Sequence, residues 1–291
     1  MLARYFYPYL RKYTISKVHE MLERSLVYLR PIKSLGQNFL VNKAVAEAEA
    51  EHALGKNVLE LGSGYGMLTK ELCKKAKLVV SVELDRNLFS MLKHEMKEKN
   101  LKLINKDFFK ASEEELELKT TDIMISNVPY TLSSKVISFL AKHRLQAVLC
   151  LQKEFVEHMI AEAGAKNYSK LSVMFQLGFS HTRLLEVSKG SFMPVPKVDS
   201  TVIYIKPKDT TLTAEESGII NAIMQHKKKT LRNAIVDSHQ YFGKKGKELE
   251  LLAESVDERE ERVFKLNPER LLAIARKLAK ENSKGPALGQ V

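Results

Sequence analysis

Three glycines at alternate positions are the first residues whose spacing suggests a ligand-binding role. Gly62, Gly64 and Gly66 follow an apolar run at residues 57–61, and Glu60 precedes them. Glycines after a strand let the backbone turn sharply and approach a ligand closely. A dinucleotide fingerprint needs G-x-G-x-x-G spacing, so that a pyrophosphate can sit on a helix N-terminus. The G-x-G-x-G spacing found here instead favours a ligand without phosphates.

Carboxylates lie at the ends of the next two predicted strands. Glu83 closes the run LVVSVE, and Asp107 follows the run LKLIN. A carboxylate at the first position can accept from ribose hydroxyls. One at the second can accept from the exocyclic amine of an adenine, while Phe108 covers the ring. Together with the glycines, these residues predict an adenosine-binding edge and S-adenosylmethionine as the cofactor. The alternative for Glu83 is a solvated position before a helix, because Asp85 follows it.

The fourth predicted strand ends in Asn127, Val128, Pro129 and Tyr130, where the methyl group of such a cofactor would point. The amino nitrogen of adenine is a poor nucleophile, because its lone pair is delocalised into the ring. The side-chain oxygen of Asn127 and the carbonyl before or of Pro129 can accept its two hydrogens and aim the lone pair at the methyl group. Positioning then supplies most of the rate, and Tyr130 offers a stacking face for a flipped base. The alternative is an asparagine and a proline that only shape a loop.

Strands that alternate with helices are expected to position these residues. Such alternation predicts a parallel, doubly wound α/β sheet, which binds ligands at the carboxyl ends of its strands. The predicted strands are residues 57–61, 78–82, 101–105, 122–127, 146–152, 171–177 and 200–207.

The composition shifts after Pro207, where strand signals disappear. We therefore predict three segments: an N-terminal extension at residues 1–33, a catalytic domain at 34–207, and a smaller all-helical domain at 208–291. The helices predicted in the last segment are residues 214–225, 227–238, 246–255 and 268–281.

The charge of the chain points to a polyanionic partner. Its 291 residues include 47 Lys and Arg against 35 Asp and Glu, a net charge of +12. An excess of this size is typical of nucleic-acid-binding proteins. The 44% hydrophobic content excludes pervasive disorder, and no apolar run is long enough to predict a membrane span. The two cysteines, Cys73 and Cys150, lack partners at metal-ligand spacing, so we expect no metal site.

The N-terminal 33 residues hold seven basic and two acidic side chains, with tyrosines near the start. Apolar residues at helical spacing favour a short amphipathic helix packed on the body of the protein. An RNA-contacting or targeting extension is the alternative.

The chain resembles the small-subunit ribosomal RNA adenine N6,N6-dimethyltransferases from about Ser34 to Lys280. Two of the shared motifs, GQNFL and the FxPxPxVxS pattern, are highly specific. Val128 departs from the family, which usually has leucine there. The motifs are GQNFL at 36–40, ELGSGYG at 60–66, VELD at 82–85, KDF at 106–108, NVPY at 127–130, QKEF at 152–155, SFMPVPKVDS at 191–200 and the basic HKKKTLRN at 226–233.

The resemblance implies a role for each matching residue. Asn38 and Leu40 would cap the methionine end of the cofactor, above Gly62 and Gly64. Asn127 would touch both cofactor and target, and Phe192 would stack on the flipped adenine opposite Tyr130. Glu83 would bind the ribose of the cofactor, and Asp107 would bind its adenine. The residues inferred to act on the target are Asn127, Pro129, Tyr130 and Phe192.

The same resemblance implies a Rossmann-like methyltransferase that dimethylates adjacent adenosines in a loop near the 3′ end of small-subunit rRNA, coupled to assembly of that subunit. It would be a monomer that binds rRNA and no membrane. We expect a cytoplasmic protein, and an organellar one is the alternative. One alternative is the macrolide-resistance class, which modifies large-subunit rRNA. Another is a non-catalytic RNA-binding assembly or transcription factor on the same fold. The intact cofactor edge and NVPY argue against loss of activity.

Overall fold

The computed structural model describes residues 37–283 of the chain. Within that range, seven strands form one sheet, and two short strands pair with each other in an antiparallel ladder. The strands are β1 (Phe39–Leu40), β2 (Asn57–Leu61), β3 (Leu78–Glu83), β4 (Leu101–Asn105), β5 (Ile123–Asn127), β6 (Ala147–Gln152), β7 (Phe179–Val187), β8 (Phe192–Met193) and β9 (Ser200–Pro207).

The large sheet has the order β4-β3-β2-β5-β6-β9-β7, and its ladders from β4 to β6 are parallel. The chain runs outward from β2 to β4 and then returns to lay β5 on the other side of β2. This reversal of direction is the switch point at which doubly wound sheets bind ligands. Gly62 follows β2 and Asn127 ends β5, so the switch point carries both predicted motifs. The α/β class predicted from the sequence is confirmed.

Continuous apolar runs explain why the central strands lie inside the protein. Four of the five residues in β2 and five of the six in β6 are buried. A parallel strand covered by helices on both faces has no side exposed to water. Its sequence is therefore a continuous apolar run rather than an alternation of apolar and polar residues. Strand β4 lies at one edge of the sheet, and none of its residues is fully buried.

Helices follow most strands and supply the layers that cover the sheet. Their starts have ordinary capping chemistry: Asp85 caps the helix after β3 through the amide of Asn87, and Asn42 caps the first helix through the amide of Ala44. The helices are α1 (Lys43–Ala50), α2 (Met67–Cys73), α3 (Arg86–Glu95), α4 (Ser133–His143), α5 (Lys153–Met159), α6 (Lys170–Gly178), α7 (Ala214–Gln225), α8 (Leu231–Asp237), α9 (His239–Phe242), α10 (Lys247–Glu254) and α11 (Pro268–Ser283).

The described residues divide into two compact units. The first contains residues 37–134, 147–150 and 186–202. The second contains residues 135–146, 151–185 and 203–283. The boundaries at residues 33 and 207 that the sequence predicts for functional domains stay predictions.

Apolar residues of α6 and of the helices from α7 onward form one buried core in the second unit. Helix α7 spans the predicted residues, and α10 and α11 differ from their predicted bounds by at most two residues at each end. Between residues 208 and 283 the described chain forms helices and no strand. The largest side chains of this core include Tyr168, Leu231, Phe242, Leu252, Leu271 and Leu278.

The strand predicted at residues 171–177 is wrong, because this segment forms helix α6. A short apolar run does not distinguish a buried strand from a buried helix. Here the helix start decides: Ser169 and Ser172 form a capping box, and Ser172 Oγ also donates to the carbonyl of His158. Strand β7 was missed, because all residues between its buried ends are exposed and no apolar pattern marks it.

The helix predicted from Lys227 begins four residues later, at Leu231. Thr230 is its N-cap, and residues 226–229 form a turn in which the amide of Lys229 bonds to the carbonyl of His226. The basic run HKKK is therefore a turn before a helix and not a helix face. This difference affects the expected RNA binding, because lysines in a turn do not lie along one face as those of a helix would.

Two predictions fall outside the described residues. They concern the extension at residues 1–33 and the first residues of the SLGQNFL segment, Ser34 to Gly36. Across residues 37–283, none of the helices combines the length and the apolar character that crossing a membrane requires.

Candidate active site

The glycine loop after β2 has a backbone that only glycine adopts easily. Gly62, Gly64 and Gly66 have φ angles of 78°, 55° and 77°. A Cβ atom on Gly64 would lie 2.9 Å from Cδ1 of Phe39, so a side chain is excluded there by contact as well as by strain. The loop therefore brings backbone without side chains to the switch point of the sheet, as a cofactor cradle requires.

Glu83 braces this loop. Its carboxylate accepts from the amide of Gly64 at 2.9 Å and from the amide of Asp85 at 2.8 Å. Only 5% of Glu83 is exposed, and burial raises the pKa of its carboxyl although both amide contacts oppose that rise. The sequence predicts Glu83 as a partner of the ribose. The bracing contact with Gly64 was missed, and it means that one side chain both shapes the loop and faces the cofactor edge.

We expect Glu83→Ala to weaken cofactor binding by about 1–3 kcal/mol, the usual cost of leaving hydrogen-bonding partners unpaired. Glu83→Gln keeps one acceptor oxygen and should lose less. Calorimetry with S-adenosylhomocysteine measures both, and thermal melts check folding. An unchanged affinity in a folded Glu83→Ala variant would remove Glu83 from the site.

Asp107 lies two residues after β4 and caps a short 3-10 helix at Phe108–Lys110. Its Oδ1 atom accepts from the amide of Phe109 at 3.0 Å. Phe108 is buried, with 5% of its surface exposed. Its ring packs edge-on against that of Phe109, with centroids 5.2 Å apart. The predicted partner of the cofactor adenine thus sits on a fixed turn beyond the neighbouring strand, in the first compact unit.

The residues predicted to act on the target base converge on one small cavity. Asn127, Pro129, Tyr130 and Phe192 line it, although Phe192 is 65 positions from Asn127 in the sequence. The cavity measures about 10 Å³, which is about the space that one water molecule needs. The other lining residues are Asn38, Val128 and Cys150.

Two contacts hold the aromatic side chains of this cavity. The hydroxyl group of Tyr130 is 2.9 Å from Oγ of Ser200. Phe192 is only 3% exposed, and strand β8 places it opposite Leu40 of β1. Leu40, predicted to cap the methionine end of the cofactor, therefore packs where Phe192 enters the site.

Two buried carboxylates, Glu60 and Glu49, lie next to residues of the site. Glu60 accepts from Thr69 Oγ1 at 2.8 Å and from Ser81 Oγ at 2.6 Å, and burial raises its pKa to about 7. Glu49, on α1, accepts from Nδ2 of Asn127 at 3.1 Å. Sequence reasoning missed Glu49. Its signal was a charged residue at a position of α1 that helical spacing assigns to the core, beside Val45 and Ala46.

The arrangement suits S-adenosylmethionine. The glycine loop brings backbone without side chains to the switch point, and Glu83 and Asp107 place carboxylates at the adjacent strand ends. The Oδ1 atom of Asn127 is buried without a hydrogen-bond partner among the described residues. Across residues 37–283, no group of three or more His, Cys, Asp or Glu side chains is placed to hold a metal ion.

Comparison with known proteins identifies the family of the chain. The sequence matches the family model for ribosomal RNA adenine dimethylase over residues 30–280. A probable ribosomal RNA small subunit methyltransferase A of Thermococcus gammatolerans is 38% identical over 258 residues, covering 86% of this chain and 91% of the relative. The ribosomal RNA small subunit methyltransferase A of Mycoplasmopsis pulmonis is 37% identical over 216 residues, covering 70% and 83%.

Solved structures show the same fold. A dimethyladenosine transferase of Plasmodium falciparum superposes with a TM-score of 0.71 at 27% identity, covering 84% of this chain and 98% of the other. The 23S rRNA methyltransferase ErmE reaches 0.58 at 22% identity, covering 83% and 100%, and this likeness shows the shared fold only. With the cofactor edge and the NVPY cavity, these matches show that the chain belongs to the ribosomal RNA adenine dimethylase family, as an S-adenosylmethionine-dependent enzyme of the small-subunit methyltransferase A type.

Proposed function

We propose that the protein transfers two methyl groups to the N6 atom of each of two adjacent adenosines in a loop near the 3′ end of small-subunit rRNA, and that the modification is coupled to assembly of the subunit. The proposal rests on one observation: the Oδ1 atom of Asn127 is buried and has no hydrogen-bond partner among the described residues. It lies in a cavity that Tyr130 and Phe192 also line. An acceptor between two aromatic side chains is the arrangement that an exocyclic amine needs.

The cofactor would lie along the strand ends, beside Gly62 and Gly64, with Glu83 at its ribose and Asp107 at its adenine. When bound, S-adenosylmethionine supplies an electrophilic methyl group on a positively charged sulfur. The role of the protein is then to present the amine. Because the methyl donor is already activated, no strong general base is needed, and orientation provides most of the acceleration.

Two acceptors would hold the amino group of the target. Asn127 Oδ1 is the first. The carbonyl of Pro129 already accepts from the amide of Leu132 at 2.8 Å, which favours the Val128 carbonyl as the second. When both hydrogens are accepted, the nitrogen is held pyramidal, so its lone pair is withdrawn from the ring and can be aimed at the methyl group. After the first transfer the amine keeps one hydrogen, so one acceptor is released and the cavity must admit a methyl group.

RNA binding by residues 208–291 is a further part of the proposal. Two lysines of the basic turn at residues 226–229 already have partners within the protein. Lys227 Nζ donates to the carbonyl of Tyr168, and Lys229 pairs with Asp237 at 2.5 Å. Lys228 is exposed and Arg232 half-buried, which favours these two as phosphate contacts. We further propose that the protein is a cytoplasmic monomer.

The test is mass spectrometry of nucleosides after reaction with small subunits that lack the modification, with large subunits as the matched control. We expect N6,N6-dimethyladenosine from small subunits only, at two neighbouring positions located by primer extension. Methyl incorporation into large subunits, or monomethyladenosine as the final product, would contradict the proposal.

A further inference from the structure

Glu49 is a charged residue at a core position. It lies in the last turn of α1, on the face that also buries Val45, Ala46 and Ala50, and its exposed fraction is 0%. Carboxylates almost never occur at such positions without a partner, because leaving water costs a charged group several kcal/mol. The partner of Glu49 therefore indicates what the residue does.

That partner is the side chain of Asn127, whose Nδ2 atom donates to Oε2 of Glu49 at 3.1 Å. An ionised carboxylate only accepts hydrogen bonds. The amide of Asn127 must therefore turn its nitrogen toward Glu49 and its oxygen away. Among the described residues, neither Oδ1 of Asn127 nor Oε1 of Glu49 has a partner of its own.

We propose that Glu49 is a positioning residue: its carboxylate holds the amide of Asn127 in the one orientation that presents Oδ1, and not Nδ2, to the amino group of the target adenine. The inference rests on the role proposed above for Asn127. If the amide turned over, its NH₂ group would meet the NH₂ group of the adenine, donor against donor, and the target nitrogen would lose its acceptor. Glu49 touches neither target nor cofactor in this scheme and acts through Asn127.

The protonation state of Glu49 should control this orientation. Burial raises its pKa to about 8, the contact with Asn127 opposes the rise, and the like charge of Glu60 adds to it. The groups that face Glu49 are Glu60 at β2, Asn127 at β5 and the thiol of Cys150 at β6. A protonated carboxyl gains an O–H donor that can bond to Oδ1, so both orientations of the amide become possible. Methyl transfer should therefore rise with pH through about 8.

Stability should change in the opposite direction. The folded-state pKa of Glu49 lies above the ordinary value of 4.5, so between these values the native state binds more protons than the unfolded chain. The contribution of Glu49 to stability is then present at low pH and is lost as pH rises toward 8. A glutamine at this position removes that dependence, which provides a second signature for the same group.

The first experiment measures kcat on unmodified small subunits between about pH 6 and pH 9, at saturating cofactor. We expect Glu49→Gln to lower kcat at the alkaline end by about 5- to 30-fold, because the amide of Asn127 is no longer held in one orientation. The variant should also lose the inflection in the pH profile near the pKa of Glu49. Affinity for S-adenosylhomocysteine should stay within about twofold. Glu47→Gln, an exposed carboxylate on the same helix, is the matched control and should behave as wild type. A Glu49→Gln variant with the wild-type rate and pH profile would overturn the inference.

The second experiment does not depend on activity. The side-chain amide resonances of Asn127, assigned by their absence in Asn127→Ala, are followed by NMR in ¹⁵N-asparagine-labelled wild-type protein. We expect them to titrate with an inflection near pH 8 that is missing in Glu49→Gln. Resonances that do not respond to pH would overturn the contact. If wild-type protein fails to methylate small subunits, the proposed function fails, whereas the NMR result still decides on Glu49.

Discussion

Asn127→Ala is expected to lower the rate of both methyl transfers by about 10²–10³-fold, the range found when one preorganised hydrogen-bonding group that acts on a transition state is removed. The alanine variant cannot accept a hydrogen of the target amine, so the nitrogen stays planar and its lone pair stays delocalised into the ring. Cofactor binding should fall much less, because Gly64, Glu83 and Asp107 remain. Initial rates with a labelled methyl donor measure the first effect, and calorimetry measures the second.

A matched control separates this role from the loss of any asparagine contact. Asn167 is also half-buried, and its Nδ2 atom donates to the carbonyl of Glu157 at 3.0 Å in the second unit. Asn167→Ala should cost a similar hydrogen bond and leave methyl transfer near the wild-type rate. Full dimethyl product at the wild-type rate in Asn127→Ala would show that the mechanism proposed here is wrong.

Phe192→Leu should reduce methyl transfer by about 5- to 150-fold, since stacking of a base on an aromatic ring is worth about 1–3 kcal/mol. Leucine keeps most of the apolar volume opposite Leu40, so the cost in stability should stay moderate. Phe192→Ala removes packing as well, and for a residue only 3% exposed it should destabilise the protein by about 3–5 kcal/mol. Rates on unmodified small subunits and denaturant unfolding distinguish the two effects.

The comparison needs a buried aromatic residue that has no part in the site. Phe175 is 1% exposed and lies on α6 in the second unit. Phe175→Leu should lose similar stability and keep the wild-type rate. If Phe192→Leu and Phe175→Leu reduce activity equally, Phe192 contributes packing and no stacking on the target.

Local patterns predicted the elements of the catalytic sheet well. Strand β2 and helix α7 have the bounds that the apolar runs and end signals indicate, because a buried parallel strand and a capped helix each leave a continuous or periodic signature. Helix α6 and strand β7 were not predicted. The apolar run of α6 is compatible with either structure, and β7 is exposed along most of its length, so neither carries a local signal that selects its conformation.

The sequence by itself predicted which residues of the site carry chemistry and determined the family and the α/β class. Glycine spacing, two strand-ending carboxylates and the NVPY segment indicate an adenosine-type cofactor and an exocyclic amine as the acceptor. These predictions are possible because each residue type has few chemical uses at the carboxyl end of a parallel strand. The same local patterns identified the α/β class.

Only the tertiary structure decided how these residues act on one another. Glu49 and Asn127 are 78 positions apart and lie 3.1 Å from each other. Phe192 reaches the cavity only because β8 pairs with β1. Contacts over such separations depend on how helices and strands pack, and no local spacing encodes them. The orientation of the Asn127 amide, the bracing of the glycine loop by Glu83 and the small size of the cavity are therefore properties of the folded chain.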